Sequence, residues 1–197
     1  MKLKRVWQPF AERLPFHTFL LAVLLATHVS LAQEKRHVLN DEMESALAAW
    51  AESLTDTDVP CKTKLVQIQP EQLKPILASY RTACSVSRSK GSLNRQRKIT
   101  VMLHQVTWRG LPISEYAYSQ AYESNAGGTA GASRQIIIDM PFSEARKTIE
   151  SWWVERKLDV KTDSPEIFVQ TSEVGEESLQ PDERDAQKTI FSYSFSE

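Results

Sequence analysis

No Gly-x-Ser-x-Gly, no His-Glu-x-x-His and no Gly-Lys-Ser/Thr occurs in this chain. The first absence removes the usual hydrolase elbow and the second the helical zinc pair. The third removes the phosphate loop, whose glycines must open directly onto a helix N-terminus. Histidine is scarce: only His37 and His104 follow the first 32 residues. Two distant histidines do not make a metal site, and Asp56 and Asp58 lack the other ligands of a calcium loop. The expectation is no metal and no cofactor. The two cysteines, Cys61 and Cys84, have no neighbouring His or Cys to complete a zinc tetrad. Long apolar runs are missing too. Phe19–Ala26 falls well short of the ~20 residues a membrane-spanning helix needs.

What is present begins with a basic start, Lys2, Lys4, Arg5 and Arg13, ahead of that short apolar stretch. Ser30 and Ala32 put small residues at −3 and −1 of a cut before Gln33. This is the layout of a secretory signal peptide over residues 1–32 and predicts a periplasmic or secreted protein with no membrane span after cleavage. Removing residues 1–32 takes four basic groups and one acid, leaving 20 Lys/Arg against 24 Asp/Glu, a net of −4. Export gives the cysteines meaning, because two thiols in an oxidising compartment pair.

The expected domains are the signal peptide (1–32), an N-terminal helix and linker (33–60) and a single α+β domain (61–197). Leu39, Met43, Ala46, Leu47, Trp50 and Leu54 form one helical stripe, with Asp41 and Glu44 resembling a capping box. The span Cys61–Cys84 predicts a strand over Lys64–Gln69, a turn at Pro70 and a helix from Gln72. Leu73, Ile76, Leu77, Tyr80 and Cys84 fall on one face of that helix. Ser85–Gln96 reads as a loop, and Lys98–Trp108 as a central strand paired in a hairpin with Ile113–Tyr122. Ser124–Ser133 reads as a flexible loop and Gln135–Met140 as a strand. Pro141 then opens a helix through Phe142, Ala145, Ile149, Trp152 and Arg156, with Trp153 on its shoulder. Glu173–Asp185 reads as an acidic loop, and Lys188–Phe195 as the last strand. The fold class this implies is α+β: an antiparallel sheet with two helices packed on one face, plus the N-terminal amphipathic helix. The two strand–proline–helix units, at Pro70 and Pro141, suggest a loose duplication.

The charge pattern is uneven. Gln72–Ser114 holds eight basic residues and no acid, whereas Asp163–Asp185 holds eight acids and one arginine. Arg88, Lys90, Arg95 and Arg97 crowd the predicted Ser85–Gln96 loop and its edge, which marks them as candidate partner-binding residues. Guanidinium groups suit carboxylate and phosphate, so the expected partner is an acidic protein or an anionic envelope component; nucleic acid is not expected outside the cell. The function expected is that of an exported, non-enzymatic binding or accessory protein, inhibitor- or immunity-like. The competing expectations are a small envelope hydrolase using His104 with unassigned carboxylates, and a carrier of apolar ligands. Intact mass of the exported protein is expected to place its first residue at Gln33; a membrane-bound species keeping Met1–Ala32 would contradict the leader.

Overall fold

The computed structural model describes residues 36–56, 59–89, 92–123, 128–163, 166–170 and 175–195. The signal peptide expected over 1–32 lies outside them, as does Lys90. In chain order the elements are β1 (His37–Val38), α1 (Asp41–Ser53), a single 3-10 turn (Glu71–Leu73), β2 (Leu77–Ser89), β3 (Ser92–Trp108), β4 (Leu111–Glu123), β5 (Gly128–Ile138), α2 (Phe142–Glu155), β6 (Val160–Asp163), β7 (Glu166–Gln170), β8 (Gly175–Pro181) and β9 (Thr189–Phe195).

The α+β expectation is overturned. The described residues are mostly β, a curled mixed sheet forming a half-barrel with two helices. The sheet order is β1-β3-β4-β5-β9-β8-β7-β6, and β2 shares with β1 the edge of β3 opposite β4. The sheet is mixed because β1 runs parallel to β3 at Val106 and Thr107, while the other pairings are antiparallel.

The largest correction falls on Gln72–Cys84, which is not a helix. Only a 3-10 turn forms, with Leu73 and Ile76 fully buried, and the chain then enters β2. Ile76, Tyr80 and Cys84 are four residues apart, and four satisfies both the helical period and the strand period of two. Tyr80, Thr82 and Val86 favour the strand, and β3 supplies a ladder along Leu93–Leu103. Lys64–Gln69 is correspondingly not a strand. Ser85–Gln96 was expected as a loop because it lacks an apolar period. Its described residues, Ser85–Ser89 and Ser92–Gln96, form arms of the β2–β3 hairpin, where the exposed Ser85–Arg88 and Gln96 place no demand on hydrophobic pattern. The acidic Glu173–Asp185 stretch likewise contains β8, and the glycine-rich Ser124–Ser133 stretch contains the start of β5.

Side chains directly opposed in an antiparallel ladder share a face. The register therefore stacks the face that carries the helices into transverse rows. The first row is Tyr80, Val101, Tyr116, Ile136, Phe191, Leu179 and Ile167, and six of these seven are buried. The second is Thr82, Ile99, Tyr118, Arg134, Tyr193, Glu177 and Val169; the third includes Cys84, Arg97, Gln120, Ala132 and Phe195. Polarity thus rises from row to row along the strands.

Two backbone irregularities keep the upper end of that face apolar. Between Met102 and Val106 the β3–β4 register shifts, with Gln105 at φ 52°; β4 shifts between Ile113 and Glu115. Met102 and His104 are left exposed while Val106 and Trp108 turn inward, although strict alternation would put all four on one face. At the hairpin tip Arg109 (φ 50°) and Gly110 (φ 79°) both adopt left-handed backbone, as a two-residue I′ turn requires.

Asn40, one residue before the expected Asp41, caps α1 by accepting from the Met43 amide at 2.9 Å. Glu44 is thereby released from a capping box, and its Oε2 accepts from Trp108 Nε1 at 2.8 Å. Helix α2 buries Ala145, Ile149 and Trp153. The expected shoulder residue is therefore the inward one, and Trp152 is half-buried. The helix ends in a Schellman motif: the Leu158 amide donates to the Trp153 carbonyl and the Lys157 amide to the Val154 carbonyl, with Lys157 at φ 60°. Trp153 Nε1 donates to Glu177 Oε2 at 2.6 Å, and Arg156 Nη1 reaches both oxygens of the same carboxylate. Glu177 is 6% exposed, so these donors satisfy an otherwise unsupported buried charge. Trp153→Ala is expected to lower unfolding stability by about 3–5 kcal/mol. The half-buried Trp152→Ala is expected to cost less, and urea midpoints of the two variants separate them.

Candidate functional site

The third row of the sheet is where the two cysteines and the basic residues converge. Cys84 on β2 lies directly opposite Arg97 on β3, and Cys84 is joined to Cys61 with 5.5 Å between their Cα atoms. The bond therefore ties a turn to a strand, not a strand to a helix end. Arg97 is only 5% exposed. Its Nη2 donates to the carbonyls of Val59 (3.1 Å), Pro60 (2.8 Å) and Thr63 (3.2 Å). All three bonds run from the one Nη2, whose two N–H groups are shared among the three carbonyls. The disulfide and Arg97 together strap the segment leaving α1 across the sheet.

The four basic residues singled out from the sequence accordingly separate. Arg97 is engaged by that strap. Arg95 lies on the same face one step nearer the hairpin tip, half-buried; its Nη1 donates to the Val59 carbonyl at 3.5 Å and its guanidinium lies 5.7 Å from the ring centre of Tyr122. Arg88, opposite Leu93, continues the same face and is exposed. The fourth, Lys90, is outside the described residues. The arms thus bring Arg88 and Arg95 onto one face with Tyr122. A hollow of about 300 Å³ at these arms is lined mainly from the opposite face, by Ser85, Ser87, Asn94, Gln96, Ala121 and Glu123, with Arg95 and Tyr122 also touching it.

Sequence reasoning did not single out Arg134. It stands in the second row between Tyr118 and Tyr193, 5.8 Å from the Tyr193 ring centre, and its buried Nε has no hydrogen-bond partner among the described residues. No local pattern flags it, because only the β4–β5–β9 register places it among tyrosines. Nearby Tyr116 has a buried hydroxyl; burial pushes that hydroxyl well above its ordinary value, and Arg134 pulls the other way. A phenol held protonated in this way is not a general base.

His104 is exposed on the side of β3 away from the core, and its amide donates to the Ile76 carbonyl. Among the described residues no group of three or more His, Cys, Asp or Glu side chains is placed to hold a metal. No described helix is long and apolar enough to cross a membrane. Compared with protein-family models, curated proteins and solved structures, the chain matches none. Arg97→Lys is expected to cost about 1.5–3 kcal/mol, the worth of hydrogen bonds to a charged group. Arg88→Ser is expected to stay within about 0.5 kcal/mol. Parallel denaturant titrations of the two variants check the division between a strap and a free surface.

Proposed function

We propose that this chain is an exported, non-enzymatic binding protein, inhibitor- or immunity-like in role, that works outside the cytoplasm. The leader-like residues 1–32 and the Cys61–Cys84 bond support the compartment. The observation that carries the binding role is the alignment of Arg88 and Arg95 on one face of the β2–β3 hairpin, with Tyr122 alongside. Arginine and tyrosine are the residue types that concentrate binding energy at protein interfaces. The hairpin is long, flanked by β4 from Asn94 to Trp108, tied at Cys84 by the disulfide, and exposed along much of β2.

The partner that fits is a protein with an acidic face. Guanidinium groups meet carboxylates through paired, charge-assisted hydrogen bonds, and Tyr122 adds a flat apolar contact. Recognition of this kind is screened as ionic strength rises. Pull-down from an envelope extract identifies the partner, and titration then compares the native protein with the triple variant Arg88→Ser, Lys90→Ser, Arg95→Ser. Arg97 is left intact because it holds the strap at Val59, Pro60 and Thr63, whereas Arg95 touches it only at Val59. Affinity is expected to fall about tenfold or more, a loss of roughly 1.4 kcal/mol, and the native complex to weaken with added salt. Equal affinity in the variant, with no salt dependence, would count against the arm. Capture of an anionic envelope polymer in place of a protein would redirect the partner class.

A further inference from the structure

A second basic site lies at the other end of β3, built from the I′ turn and the outer face of α2. Lys147, Ser151 and Glu155 are four residues apart on α2 and share one helical face, with Thr148 and Trp152 beside them. Arg109 reaches this face from the turn. These six residues line an open hollow of about 490 Å³.

Arg109 is held there by an aromatic ring and not by an acid. Its guanidinium carbon lies 3.7 Å from the ring centre of Trp152 and 5.1 Å from that of Trp108. Neither Arg109 nor Lys147 makes an ion pair with any described residue. A guanidinium stacked on an indole uses its flat face, and its N–H donors all lie in the plane at its edge. Stacking therefore immobilises the group while leaving its hydrogen-bonding capacity open. Arg156 shows the contrast. It also lies over Trp152, at 4.4 Å, but its Nη1 is committed to the buried carboxylate of Glu177. Of the two arginines on this indole, one is neutralised and the other is poised for an anion.

We propose that the hollow between the β3–β4 turn and α2 binds a small oxyanion, a carboxylate or phosphate group. Arg109 and Lys147 supply the charge, and the Thr148 and Ser151 hydroxyls supply further donors. Glu155 on the rim opposes the anion and sets a limit on its affinity. This site is separate from the β2–β3 arm, and its test is independent of any protein partner.

The probes are sodium phosphate and sodium citrate, titrated at constant ionic strength into the purified protein and followed by calorimetry and tryptophan fluorescence. The variant R109N removes the cation while keeping the turn, because Asn-Gly is a preferred I′ pair. Binding of either probe is expected, weakened about tenfold, or roughly 1.4 kcal/mol, in R109N, weakened in K147Q and tightened in E155Q. Citrate alone binding assigns a carboxylate ligand; phosphate alone assigns a phosphate. Failure of both probes to bind, or binding that R109N and E155Q leave unchanged, overturns the proposal. Should R109N lose cooperative unfolding, K147Q on the helix surface carries the comparison, and unchanged binding there is equally decisive.

Discussion

Trp108 is the side chain through which both helices are held to the sheet. It is 1% exposed. Its indole N–H donates to Glu44 of α1, and its ring packs edge-on against Trp152 of α2 at 5.9 Å and tilted against Phe191 of β9 at 4.8 Å. An indole joins these partners because it combines a large apolar body with one directed donor. Trp108 points inward only because β3 shifts register between Met102 and Val106. Without that shift, the strict alternation of a strand would put Trp108 on the face occupied by Met102. A non-glycine left-handed residue, Gln105, sits in that irregularity at a cost of about 1–2 kcal/mol. The same position is where β2 ends along the edge of β3 and β1 takes over. One local distortion therefore sets the edge pairing and the packing of both helices.

At the opposite end of the sheet, cohesion is polar and covalent. The Cys61–Cys84 bond closes a loop with a sequence separation of 23, and loop closure of that size stabilises by roughly 3 kcal/mol. Arg97 binds three carbonyls on the same strap. Both devices act where the inward face has too little apolar surface to hold a segment by burial alone. This end is also the one that carries Arg88, Arg95 and Tyr122. The gradient along the strands, from buried aliphatics and aromatics to arginines and tyrosines, divides a scaffold from a surface suited to recognition.

The acidic run shows why charge counted along the chain misleads. Glu177 is buried under Trp153 and Arg156 of α2, and Asp182 accepts from the amide and guanidinium of Arg184 in the β8–β9 connection. Those hydrogen bonds hold the Asp182 carboxyl below its ordinary value. These acids are parts of the fold, and their negative charge has local partners. Arg97 is the mirror case in the basic run, a charge drawn into the structure by backbone carbonyls.

The sequence by itself determined the covalent frame, the two authentic helices and the strand nature of β3, β4 and β9. Each rests on information local to the chain: two cysteines with no further Cys or His beside them, a stripe of apolar residues at helical spacing, β-branched and aromatic runs. Asp41–Ser53 and Phe142–Glu155 were legible because their stripes span three or more turns. The candidate site was legible only in composition. Arg88 and Arg95 stand out as a basic cluster, but that they share a face with Tyr122, and that Arg97 does not join them at the surface, depends on register. Tertiary structure alone decided that Leu77–Ser89 is a strand. Its spacing of four suits either conformation, and the unpaired edge of β3 supplied the hydrogen bonds that settle the choice. It alone placed Arg134 among tyrosines and Arg109 on Trp152, since both juxtapositions join residues far apart in the chain. Local propensity is too weak to choose between ladders and helices when both bury the same residues. Long-range pairing decides, because it satisfies every backbone group along the shared edge at once.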